Sequence, residues 1–441
     1  MRVSVHNKRG AGPRGFQLIA ATWLARVALV LALCVAPLSA AAEGWETEIS
    51  GTAFSPSLVI GIDKSEQQLF LFMHQSPLSV AERFTCTTGE QEGDKFAEGD
   101  LRTPEGVYFT ETRIDTGLDY DLFGDLAYTL NFPNPVDRLR GKTGSGIWIH
   151  GRGHEIVPRE TRGCVALEMD DMNQLETHLA SGVPVVIARD LDWAETAQDE
   201  EYTDRVAELA ALVEGWAGAW QSRSEEFFSF YDPERFSRAQ GSFAAFRAHK
   251  EGLFRNLPWI QVSVHDIRVV EGPDYWVTYF GQFYRSPSLT SEGIKRLYWM
   301  EDESGELKIV GKEWVMARQG LEERYVESLA EDATDLVEQW RTAWEQADMD
   351  EYLAFYADNA SQGGRRGLEA IRNHKQEIWA RGQAMSVGVS DVQVRLHSQG
   401  LAVSFVQEYQ AGEYRDTGVK TLILMPDGNQ WEIVSETWSA R

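Results

Sequence analysis

Gly146-Ile147-Trp148-Ile149-His150-Gly151 leads through a polar loop into Thr161-Arg162-Gly163-Cys164-Val165-Ala166-Leu167. The first stretch reads as a strand ending in His-Gly, the second as a turn that delivers a cysteine to the start of another strand. Cys164 lies fourteen positions after His150, enough for a strand, a loop and a return. A cysteine is a nucleophile only as thiolate, and an imidazole within hydrogen-bond reach can take its proton. Gly163 lets the backbone turn closely at the thiol, and the amides of Gly163 and Cys164 are expected to face a developing oxyanion. The Gly151 carbonyl is expected to accept from the other ring nitrogen and fix the tautomer of His150. The competing reading of Cys164 is a small packed hydrophobe, and spacing alone does not separate the two.

Outward from this pair, Ser55 to about Asp190 is rich in short alternating runs such as Ser57-Leu58-Val59-Ile60-Gly61-Ile62 and Gln67-Gln68-Leu69-Phe70-Leu71-Phe72, separated by Gly, Pro, Asp and Asn. That is a mainly β pattern. Residues 191–208 turn acidic, with Arg205 the single base, and are expected to form a linker or linker helix. The 441 residues call for roughly three units of ~100–200 residues each. Lys+Arg 42 against Asp+Glu 68 gives a net charge of −26, which argues against nucleic acid as a partner.

The first 42 residues carry five bases (Arg2, Lys8, Arg9, Arg14, Arg26) and no acid, then an apolar stretch from Val27 to Ala36 and Ala40-Ala41-Ala42. This reads as a signal peptide cleaved after Ala42, so the mature chain is expected in the periplasm or cell envelope, with an uncleaved membrane anchor as the alternative. Cleavage leaves 37 basic against 68 acidic residues, a net charge of −31. Leu33 before Cys34 speaks against lipidation. Cys86 and Cys164 then remain, one disulfide at most, and Cys86 reads as a packed strand residue.

The rest of the chain repeats with a period of about 125 residues. Leu212-Val213-Glu214 with Trp216 and Trp220 returns as Leu336-Val337-Glu338 with Trp340 and Trp344. Ala245, Arg247, His249 and Lys250 return as Ala370, Arg372, His374 and Lys375, and Phe280, Gln282 and Tyr284 as Phe405, Gln407 and Tyr409. Each copy, 209–320 and 331–441, opens with a helix bearing its tryptophans four apart and continues into alternating strands. The pattern resembles the cone-shaped α+β fold of the nuclear transport factor two and SnoaL-like superfamily. The histidines read as a solvated helix face and the repeated Trp and Tyr residues as core, which leaves the copies as binding or spacing modules.

Residues 55–190 resemble the L,D-transpeptidases with a YkuD-type catalytic domain. The resemblance rests on Arg102-Thr103-Pro104-Glu105-Gly106-Val107-Tyr108, on Leu130-Asn131-Phe132-Pro133-Asn134 with Asp137, on Ile147 to Gly151 and on the cysteine turn. It implies an α+β multidomain protein whose mostly β catalytic domain acts on peptidoglycan stem peptides, with Cys164 as nucleophile, His150 as base and the Gly151 carbonyl orienting it. Acyl transfer would run through a thioester with release of D-alanine, and needs neither metal nor organic cofactor. The chain departs from the family in having Arg162 where a histidine is usual and Ala166 where an arginine is usual, so Arg162, Thr161, Arg159 and Arg152 become the candidates for holding a substrate carboxylate. Three classes stay open: a transpeptidase, a hydrolase of the same bond, and a non-catalytic wall-binding protein, with glycan or a wall-anchored protein as partner of the repeats.

Overall fold

The computed structural model describes residues 44–381, 384–428 and 430–440. The leader expectation lies outside these residues. Among the described residues no helix is long and apolar enough to cross a membrane.

The N-terminal part is an eight-stranded sheet in the order β4-β3-β2-β9-β5-β6-β7-β8. Its strands are β2 (Leu58–Asp63), β3 (Gln68–His74), β4 (Leu78–Thr85), β5 (Gly106–Ile114), β6 (Ala127–Leu130), β7 (Trp148–Arg152), β8 (Val165–Glu168) and β9 (Pro184–Ala188), with helices α1 (Tyr120–Phe123), α2 (Pro135–Leu139) and α3 (Met169–Glu176) between them. A separate pair, β1 (Glu46–Ser50) and β10 (Asp190–Ala194), runs parallel. Residues 191–208, expected as a linker, therefore hold most of β10 and the start of the next helix. Leu191 is buried and its N–H donates to Asp63 Oδ2 (3.0 Å), which ties the acidic stretch to β2.

The runs expected to alternate are instead continuously apolar, because both faces of this sheet are buried. Ile60, Ile62, Leu69, Leu71 and Tyr108 pack one way, with Met172 and Leu175 of α3. Val59, Phe70, Phe72, Val107 and Phe109 point the other way and need a cover. The first repeat supplies it: Val270, Tyr275, Val277, Tyr298 and Val310 join the same cluster.

That repeat comprises α4 (Glu200–Gln221), α5 (Glu226–Ser229), α6 (Pro233–Gln240), α7 (Phe243–Asn256) and the antiparallel sheet β11 (Gln261–Gly272), β12 (Tyr275–Ser286), β13 (Leu289–Glu301) and β14 (Leu307–Met316). Its second face wraps α4, where Trp216, Trp220 and Phe280 meet. The second repeat has α8 (Leu321–Glu345), α9 (Met349–Ala354), β15 (Tyr356–Gln362), β16 (Arg365–Arg366), α10 (Leu368–Trp379), β17 (Met385–His397), β18 (Gly400–Ala411), β19 (Tyr414–Asp427) and β20 (Gln430–Ala440). The duplication survives in detail. Trp216 Nε1 donates to Tyr231 Oη (3.0 Å) and Trp340 Nε1 to Tyr356 Oη (2.9 Å). Helix α8 starts ten residues before the expected boundary at 331, because Leu321 and Tyr325 bury against Phe283 of the first repeat.

The Leu130–Asn134 motif latches the catalytic sheet to the first repeat. Asn131 accepts from the Phe109 N–H (2.8 Å) and donates to Tyr298 Oη (3.1 Å) and Glu313 Oε2 (3.0 Å). The Val107 N–H donates to Tyr275 Oη (2.8 Å), and the Arg296 guanidinium stands 3.9 Å over the Phe109 ring. Asn134 caps α2 in a reciprocal pair with Asp137, accounting for both residues of the motif. The first repeat is thus built onto the eight-stranded sheet rather than tethered to it, and a fragment ending near Asp190 would expose this face.

Candidate active site

Strands β7 and β8 run parallel, with His150 opposite Ala166, so Cys164, just ahead of β8, is delivered to the same end of the sheet as the imidazole. The turn is held by its own side chain: Thr161 Oγ1 accepts from the Gly163 N–H (3.1 Å) and donates to the Cys164 carbonyl (2.7 Å). Residues 87–90 clamp it further, through Ala166 N–H to Thr87 O (2.9 Å) and Thr161 N–H to Thr88 O (3.0 Å). Gly163 has φ +129°, and a Cβ there would lie 2.7 Å from the Arg102 carbonyl oxygen, so only glycine fits.

The expectation that the Gly163 amide faces an oxyanion is corrected by this turn, since Thr161 already uses that N–H. The Cys164 N–H has no acceptor among the described residues and is the donor left for that role.

His150 is 2% exposed, with its ring edge-on to Phe123 at 5.2 Å. Its Nδ1 lies 2.6 Å from the Gly151 carbonyl. A carbonyl only accepts, so Nδ1 carries the hydrogen and Nε2 is left as the basic lone pair. Burial lowers the imidazole pKa to about 4, assisted by the Arg152 charge and opposed by the Gly151 bond. The Cys164 thiol is half-buried and donates to the Gly146 carbonyl (3.5 Å). Burial raises its pKa, while the Trp148 backbone, Arg152 and Lys95 pull the other way. At neutral pH the resting pair is a thiol and a neutral imidazole, not an ion pair.

Cys164 opens on a groove of about 650 Å³ walled by Glu90, Lys95, Phe123, Gly146 and Arg162. Of the four residues nominated for substrate binding, Arg162 lines this groove. Arg152 is buried, bonded to the Leu122 carbonyl (3.1 Å) and paired with Glu160 (3.5 Å). Arg159 pairs with Glu92 (3.1 Å), and Thr161 is spent on the turn. Ala166 is fully buried opposite His150. Lys95, held by Asp100 (2.8 Å), and Phe123 were not singled out from the sequence, where they look like ordinary loop residues. Beneath the groove, Lys64 bonds Glu105 (2.8 Å), Thr103 O (2.8 Å) and Gly93 O (2.7 Å), while Lys142 pairs with Asp94 (2.7 Å) and Asp137 (2.9 Å). These buried cations fix the two loops that form its walls. Cys86 is free, buried in the core, and burial raises its thiol pKa.

Residues 57–187 match the model of the YkuD L,D-transpeptidase catalytic domain. Residues 208–313 and 332–437 each match the Cds6 C-terminal NTF2-like domain. Among solved structures, Bd1075 of Bdellovibrio bacteriovorus is 28% identical over 62% of this chain and 97% of its own, with a TM-score of 0.49. The helical cell shape determining protein Pgp2 of Campylobacter jejuni is 25% identical over 61% of this chain and 95% of its own, also at 0.49. No curated protein matches. The chain thus joins a YkuD-type L,D-transpeptidase catalytic domain at 57–187 to two C-terminal NTF2-like domains.

Proposed function

We propose that this protein is a periplasmic or envelope cysteine acyltransferase acting on peptidoglycan tetrapeptide stems. One observation carries the reading: a half-buried thiol opens on a groove at the head of β8, and the neighbouring strand β7 carries an imidazole whose Nδ1–H is committed to the Gly151 carbonyl, so that Nε2 is left to act as base. His150 Nε2 takes the Cys164 proton as sulfur attacks the carbonyl between an L-centre and the terminal D-alanine. The tetrahedral oxyanion is met by the Cys164 N–H. As the C–N bond breaks, His150 returns the proton to the leaving amine and D-alanine departs. An incoming amine, deprotonated by the same imidazole, then displaces the thiol from the thioester. Arg162 is the groove cation placed to meet a stem carboxylate. In this reading the NTF2-like domains place the enzyme on its polymer through glycan, stem peptide or a wall-anchored protein.

Purified full-length protein incubated with disaccharide tetrapeptide and analysed by mass spectrometry tests this. A cross-linked dimer with one D-alanine released supports transpeptidation. Tripeptide and D-alanine without dimer would make it a hydrolase of the same bond, and unchanged substrate would remove the proposal.

A further inference from the structure

Arg152 ends β7 two residues after His150, and strand alternation sets Trp148, His150 and Arg152 on one face. Helix α1 lies across that face. Its Phe123 ring packs on Trp148 (5.3 Å) and on His150 (5.2 Å), and its Leu122 carbonyl accepts from the Arg152 guanidinium (3.1 Å). Arg152 is 9% exposed and is not among the residues that wall the Cys164 groove, so a stem carboxylate lying there does not meet it.

A helix of four residues, none of them buried, has too few internal bonds and too little apolar contact to hold itself. Asp119 caps its start, and the Arg152 bond is the one hydrogen bond from this helix to another element among the described residues. What that bond secures is the Phe123 wall, which touches the base and faces the groove.

On its other side the same guanidinium faces Glu160, with Nε 3.5 Å from Oε1. Glu160 stands just before Thr161, whose side chain closes the cysteine turn, and the Glu160 N–H donates to Thr87 Oγ1 (3.1 Å). Arg152 Nε and Glu160 Oε1 are both buried, and neither makes a hydrogen bond. Charge rather than a directed bond holds this side. A buried pair of that kind adds little stability over apolar side chains of the same size, which points away from a purely structural reason for it. The charge also reaches the two reacting groups. It helps keep the imidazole unprotonated and draws the thiol downward, whereas Lys95, the other cation acting here, acts on the thiol alone.

We propose that Arg152 is a positioning residue for acyl transfer, bracing the wall behind His150 against the turn that carries Cys164. It touches neither substrate nor the reacting atoms. The role rests on the acyl-transfer reading and replaces the carboxylate-binding role expected from the sequence. Misplacing a reacting group by ~1 Å costs ~10²-fold in rate, so loss of the brace falls on kcat rather than KM.

D-Alanine release from disaccharide tetrapeptide by the full-length protein tests it, with iodoacetamide alkylation of Cys164 measured alongside. Arg152→Met keeps the bulk without the charge, and should lower kcat about 10- to 100-fold with KM within about threefold of the parent. It should also slow alkylation at pH 8. Arg152→Lys restores the charge but not the planar fork, and should recover the alkylation rate while kcat stays between those of Arg152→Met and the parent. If Arg152→Met does not fold, Glu160→Gln decides, with kcat lowered severalfold at parental KM. A raised KM at parental kcat would return Arg152 to substrate binding. Parental kcat and KM, or faster alkylation in both arginine variants, would leave it as packing, and each of these results overturns the proposal. If the parent itself releases no D-alanine, the acyl-transfer reading fails on its own account, and the alkylation rates still decide whether Arg152 sets the state of Cys164.

Discussion

The protonation state of the resting pair can be read directly from the reactivity of Cys164. Burial holds His150 at about 4 and pushes the Cys164 thiol up, so neither group is charged at pH 7. An ordinary thiol has about 3% thiolate at pH 7, and a raised one has less. Alkylation by iodoacetamide, followed by intact-protein mass, should therefore rise about tenfold per pH unit from pH 6 to 8.5, with no plateau. Cys86 is fully buried in the core, so the first alkyl group reports on Cys164. The variant His150→Ala sharpens the test. With no ion pair to lose, its alkylation rate should stay within about threefold of the parent, while acyl transfer falls by about 10²–10⁴ because the base is gone. A plateau in alkylation beginning near pH 5, abolished in His150→Ala, would show a thiolate–imidazolium pair and refute the reasoning.

Further consequences concern stability and the turn. In the unfolded chain His150 takes a proton near 6.5, but in the folded chain only near 4, so stability is lost as pH falls through that window, up to about 3 kcal/mol from this group. Urea midpoints at pH 7 and pH 4.5 should accordingly differ less in His150→Gln than in the parent, and an equal difference would contradict the assignment. Gly163→Ala must push its Cβ away from the Arg102 carbonyl at positive φ, and should cost about 1–3 kcal/mol and displace the nucleophile. A variant with parental activity and urea midpoint would show the turn to be looser than described. Asn131→Ala strands the Phe109 N–H and removes two bonds to the first repeat, for a loss of about 2–4 kcal/mol in urea unfolding. A loss below about 0.5 kcal/mol would mean the latch contributes nothing.

Much of the catalytic domain was legible because its signals are local. The runs at Leu58–Ile62 and Leu69–Phe72 are strands, and the His-Gly and Gly-Cys stretches lie side by side as β7 and the turn into β8. The duplicated helices were legible for the same reason, since tryptophans four apart on one face need a core. What the sequence hid depends on partners far along the chain. Asn131 looks like a turn residue until Tyr298 and Glu313 are placed against it. Residues 191–194 look like acidic linker because β1, the strand they pair with, is about 145 residues away. Lys375 looked like one charge on a solvated helix face beside His374. The helix turns that lysine inward, where the Trp344 and Tyr352 rings rather than water surround it. Arg152 looked as available to substrate as Arg162, but it is buried against the Leu122 carbonyl and Glu160, while Arg159 pairs with Glu92 at the surface.

The central claim is that Cys164 becomes covalently acylated by the stem peptide. Rapid quenching of full-length protein with disaccharide tetrapeptide, then intact-mass and peptide mapping, measures this. The account predicts an adduct on Cys164 weighing the substrate less one D-alanine, absent from Cys164→Ala and much slower to form in His150→Ala. D-alanine release by Cys164→Ala at the parental rate, or an adduct on any other residue, would contradict it.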